Sequence, residues 1–120
     1  MKLSRNILAV FLVMMFCSVQ IGQAEETTEK ITFDEHVQPI FRAKCVSCHN
    51  PDMKKGDLDL SNYTGVMQGG SSGDSIEAGD ASNSYLFMLI THESEPFMPL
   101  EAPKMPDEMI ATVGKWIDGG

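Results

Sequence analysis

Basic side chains are scarce in this 120-residue chain: 9 Lys and Arg stand against 17 Asp and Glu, for a formal net charge of -8. Such a balance repels a phosphate backbone and argues against nucleic-acid binding. Long apolar runs are missing as well. The longest, Ile7 to Cys17, falls well below the roughly 20 residues needed to cross a bilayer. The Gly- and Ser-rich stretch 69–79 lacks the Gly-Lys-Ser/Thr ending of a phosphate-binding loop, so it does not read as a nucleotide site. Cysteine is limited to Cys17, Cys45 and Cys48, and histidine to His36, His49 and His92. No second Cys or His pair is therefore at hand to complete a four-ligand zinc site.

The amino terminus reads as an export signal. Lys2 and Arg5 supply a positive start, Ile7 to Cys17 the apolar stretch, and Gly22-Gln23-Ala24 the small residues a signal peptidase reads. Cleavage after Ala24 and delivery to the periplasm are expected. Lipidation at Cys17 does not fit, because Met14-Met15-Phe16 before it are bulky. Residues 1–24 are thus the signal peptide, 25–32 a charged lead-in and 33–120 one small domain, with no membrane span left after cleavage. A domain of that size buries a modest core and commonly relies on a metal or cofactor as a staple.

Four short helices are predicted and no credible strand, which makes the domain all-α. Val37, Ile40, Phe41 and Cys45 share one face of a first helix between Asp34 and Val46, with Asp34 as its cap or with Pro39 shifting the start to Gln38. Ser61 is expected to cap a second helix ending at Gly69-Gly70, and Ser82 to open a third carrying Tyr85, Leu86, Leu89 and Ile90. Pro96, Pro99 and Pro103 mark an extended loop. The last helix begins near Pro106 and stops at Gly119, with Ile110, Val113, Trp116 and Ile117 on one face.

The chemistry is concentrated in Cys45-Val46-Ser47-Cys48-His49, the Cys-x-x-Cys-His pattern of covalent haem attachment. Thiols three positions apart at a helix end each add to one haem vinyl group, and the adjacent imidazole reaches the iron from the same side. A thioredoxin-like redox pair would want strand and helix alternation and leaves the histidine unexplained. A plain disulfide in an oxidising compartment and a zinc site that would have to draw on the distant His36 and His92 are the remaining competitors. One haem c per chain, attached at Cys45 and Cys48 with His49 as proximal iron ligand, is the expectation.

An electron-transfer haem takes a second axial ligand, and a thioether raises its potential. Met53 lies too near the motif to wrap to the far face, and Met67, Met88 and Met109 fall on or beside helices where methionine usually packs. Met98 lies in the proline-stiffened stretch Glu95-Pro96-Phe97-Met98-Pro99 and is the first candidate. Met105, placed as a hydrophobic staple before the last helix, and His92 are the alternatives. His36 reads as a partly exposed helix residue, and a carbonyl in the turn Asn50 to Asp52, Pro51 first, is expected to accept the His49 Nδ1 proton.

These residues, together with Val37-Gln38-Pro39-Ile40-Phe41, Gly56-Asp57-Leu58-Asp59-Leu60, Gly69-Gly70, Gly79-Asp80, Ser84-Tyr85-Leu86, Met98-Pro99 and Trp116-Ile117-Asp118-Gly119, make the chain resemble the planctomycete-type cytochrome c domain from Phe33 to Gly119. The resemblance implies a cytochrome c fold, one covalent haem and His/Met ligation with Met98 giving the sulfur. It also implies that Leu58, Leu60, Leu86 and Ile90 line the haem edge and that Trp116 packs the last helix near the first.

The leading functional expectation is a soluble monomeric one-electron carrier rather than an enzyme, since no nucleophile or acid-base pair clusters beside the motif. Glu93, Glu95, Glu101, Asp107 and Glu108 flank the Met98 loop and would meet a basic patch on a redox donor or acceptor. The alternatives are a haem protein with a labile distal ligand, binding small gases or peroxide, and a haem subunit docked to a dehydrogenase.

Overall fold

Helix is laid down in short pieces, because prolines and glycines interrupt every apolar period in the sequence. The computed structural model describes Gly22 and residues 28–120. The expected signal peptide and its cleavage point lie outside the described residues, apart from Gly22. A π-helical turn at Phe33–Val37 runs directly into α1 (Gln38–Lys44). After a tight turn at Lys55–Asp57 come α2 (Tyr63–Gln68), α3 (Tyr85–Ile90) and α4 (Asp107–Asp118). Among the described residues there is no strand, only isolated bridges at Gly70 with Gly73 and Glu77 with Asp80. The fold is all-α.

The helix starts differ in detail from those expected. Thr32, not Asp34, occupies the first cap, and the His36 ring stands behind it, Nδ1 accepting the Thr32 N–H at 3.1 Å. That is the returning half of a capping box with an imidazole in place of the usual carboxylate. Of the two alternatives for the first helix, the start at Gln38 is the one realised: Pro39 lacks an N–H to donate, so the regular α-helix waits until Gln38 and a wider turn precedes it. Asn62 rather than Ser61 caps α2, its Oδ1 accepting the Gly65 N–H at 2.8 Å. Ser84 rather than Ser82 precedes α3, and its buried hydroxyl is spent on the preceding turn, accepting the Glu77 N–H at 2.8 Å and donating to Asp80 O.

One core unites these pieces. Phe33, Val37, Ile40 and Phe41 from the first segment meet Leu86 and Ile90 of α3 and Ile110, Val113 and Ile117 of α4. Phe33 stands at the centre of an aromatic cluster, 5.4 Å from Trp116, 5.7 Å from Tyr63 and 6.1 Å from Phe41 by ring centroids. Trp116 thereby joins the last helix to the first, as the resemblance implies. At the crossing of α3 and α4, Gly114 gives the Phe87 ring room; a Cβ there would stand 3.0 Å from two ring carbons. Met105 is 3% exposed and sits in the core with Ile110, the N′ and N4 partners of a hydrophobic staple on α4.

Candidate haem site

The attachment motif occupies a single helical turn appended to α1. The Phe41 carbonyl accepts from Cys45 N–H at 2.8 Å and Val46 N–H at 2.9 Å, and the Cys45 carbonyl accepts from Cys48 N–H and His49 N–H at 3.2 and 3.0 Å. Both thiols therefore project from one turn. They are free, Cys45 half-buried and Cys48 exposed. Burial pushes the Cys45 thiol up to about 11, so it stays a neutral sulfur at ordinary pH. Among the described residues no cluster of three or more His, Cys, Asp or Glu is arranged to hold a metal ion, which leaves zinc without a ligand set.

Asn50 is the organiser of the next turn. Its amide donates to Val46 O at 2.6 Å, while its Oδ1 accepts the N–H groups of Asp52 and Met53 at 3.0 and 2.9 Å. The chain then doubles back: Lys55 N–H donates to Cys48 O at 3.1 Å, and His49 Nδ1 donates to Lys55 O at 2.9 Å. A carbonyl only accepts, so Nδ1 carries the proton and Nε2 keeps its lone pair. The acceptor is thus Lys55 O, not the Pro51 carbonyl, because the Asn50 side chain closes the 50–53 turn and carries the backbone past the ring before it returns. No residue type marks a carbonyl acceptor, and the one available signal is the left-handed pair Lys54 and Gly56, with φ of 36° and 64°, that turns the chain back.

Met98 is tied to the last turn of α3. Leu89 O accepts the Met98 N–H at 3.1 Å, and Met88 O accepts from Glu93 and Ser94 at 2.9 and 3.1 Å. Met98 is half-buried and packs against the core, as do Cys45, Val46 and Leu58. Leu60, Leu86 and Ile90 lie within that core. The sequence-derived set therefore gathers around one apolar body, with the thiols and imidazole on one loop and Met98 on another. His92 does not aim outward as a free donor: its Nε2 donates to Met98 O at 3.1 Å, and its ring stacks on Phe97 at 4.8 Å. Met105 is enclosed by the core.

The donor chemistry fits a covalent haem. Two unpaired thiols share a turn with an imidazole whose tautomer leaves Nε2 for iron, and apolar side chains stand beside them. The two cavities of about 50 and 700 Å³ lie elsewhere, beside Trp116 and Tyr63, and bring neither Cys nor His to their walls.

Comparison with known families gives a match to the family described as Planctomycete cytochrome C over residues 45–101, from the first thiol through the Met98 loop. No curated protein and no solved structure gives a match. The matched stretch begins on the attachment cysteine and spans Cys48, Leu58, Leu60, Leu86 and Met98. Over this stretch the chain is similar to the planctomycete cytochromes c, a likeness that implies covalently bound haem c with its iron as the cofactor.

Proposed function

We propose that the chain is an exported, monomeric, monohaem carrier of single electrons in the periplasm, with haem attached at Cys45 and Cys48, His49 as proximal ligand and Met98 as distal ligand. When bound, the haem supplies the ferric/ferrous couple. Everything else is the work of the chain. His49 is held in one tautomer by Lys55 O, Met98 is held by its backbone to α3, and Leu58, Leu60, Leu86 and Ile90 keep water from the metal. The observation that carries the reading is this double anchoring of both axial candidates beside one core, since a fixed ligand set lowers the reorganisation that electron transfer requires.

Glu93, Glu95, Glu101, Asp107 and Glu108 are all exposed around the Met98 loop, and Lys104 Nζ lies 4.0 Å from Asp107 alone. They give a basic redox partner an acidic face to approach. The export signal supports the periplasmic assignment.

The test is the spectrum of protein produced alongside a haem-attachment system. A thioether-type pyridine haemochrome, a long-wavelength sulfur-to-iron band in the ferric form and a ferrous form inert to carbon monoxide are expected. A colourless product overturns the haem assignment, and rapid carbon monoxide binding overturns the carrier in favour of a labile distal site.

A further inference from the structure

We infer that His92 is a positioning residue that holds the Met98 loop against the iron, an inference that rests on Met98 being the distal ligand as proposed above. Met98 is pinned at both of its backbone polar groups. Its N–H donates to Leu89 O at 3.1 Å and its C=O accepts from His92 Nε2 at 3.1 Å. The first tie joins the loop to the helix, and the second closes residues 92–98 into a ring across the loop. Phe97, 44% exposed, is stacked on the same imidazole at an interplanar angle of 12°, so the residue before Met98 is restrained as well.

His92 holds a left-handed backbone, φ 63°, which is costly for a side chain with a Cβ. That conformation reverses the chain at the end of α3, where His92 N–H donates back to Leu89 O at 3.3 Å. Leu89 O thus receives both His92 and Met98, and the imidazole links the same two residues from the other side. With the backbone fixed, the sulfur leaves the metal only by side-chain rotation. Without the imidazole, the Met98 backbone keeps only its N–H bond to Leu89 O and frees the metal more often.

The test uses the haem-loaded protein and imidazole as an added ligand. His92→Asn tolerates the left-handed backbone but is too short to bridge the loop, whereas His92→Gln restores an amide N–H donor. Losing one hydrogen bond of ordinary strength predicts a roughly 2- to 12-fold faster approach of imidazole to ferric His92→Asn. The long-wavelength band is retained at low temperature, and His92→Gln recovers toward wild type. A role in stability alone would shift the urea midpoint of His92→Asn and leave the imidazole rate unchanged, which overturns the inference. Equal acceleration in His92→Asn and His92→Gln also overturns it, by removing the hydrogen bond from the account. Met98→Ala run in parallel separates the two readings: a band that survives Met98→Ala sinks the ligand assignment, whereas a lost band with unchanged His92→Asn kinetics sinks only the positioning role.

Discussion

The loop that carries Cys45, Cys48 and His49 and the loop that carries Met98 are held by different kinds of structure. The loop Cys45 to Lys55 is almost self-sufficient: the bonds within it join residues no more than seven apart, and Asn50 takes part in five of them. The Met98 loop borrows its order from elsewhere. Its ties go to the final carbonyls of α3, and α3 is in turn set by the crossing with α4 at Phe87 and Gly114. The geometry of the Cys-x-x-Cys-His turn is thus encoded locally, while the placement of Met98 depends on how the whole domain packs.

The largest break in this comparison comes from the thiols. Cys45→Ala combined with Cys48→Ala is expected to abolish covalent haem, read as loss of haem staining on a denaturing gel. Retained staining would mean that the motif is not the attachment point.

Met98→Ala and Met105→Ala come next and should part company. The first removes the long-wavelength band and lowers the reduction potential, because a thioether ligand raises it. The second opens a cavity in the core and costs about 2–5 kcal/mol in urea unfolding while keeping the band. The opposite pattern would exchange the two assignments.

Gly114→Ala probes the dependence of the distal loop on the α3/α4 crossing. The added methyl presses on the Phe87 ring, and a cost of about 1–3 kcal/mol is expected, with attachment unchanged. The ferric band should weaken while the haem stays attached. An unchanged band at a clearly lowered stability would show that the loop does not need that crossing.

The smallest effect is acid-dependent and lies on the attachment side. Burial acts to raise the Asp59 carboxyl, but the hydrogen bonds from Ser61 and Asn62 outweigh it and hold the group below its ordinary 3.8. A depressed folded value contributes stability above pH 3.8 that is lost as pH falls through the folded value. Asp59→Ala should therefore lower the urea midpoint slightly at pH 7 and approach wild type in strong acid. A difference that does not change with pH would remove the carboxylate's charge from the explanation.

The gathering of Cys45, Cys48 and His49 in one helical turn was legible because their spacing is fixed, and spacing is what a sequence records. The all-α class and α4 were legible for a similar reason, as helical periodicity survives in Ile110, Val113 and Ile117. Cap positions slipped by one or two residues because Ser61, Asn62, Ser82 and Ser84 are all chemically suited to the role, and the choice among them is made by which hydroxyl or amide the neighbouring turn already uses. The Lys55 acceptor escaped because every residue offers a carbonyl, and only the path of the chain decides which one returns to the ring.

The sequence by itself determined the haem class, the Cys-x-x-Cys-His turn and the helical character, since each rests on residue types at short, fixed separations. Tertiary structure decided the rest: that His49 is oriented by Lys55, that Met105 is enclosed while Met98 lies at the edge of the core, and that His92 bonds to the Met98 backbone. Those outcomes depend on where carbonyls and apolar faces meet in space, and no local pattern carries that information.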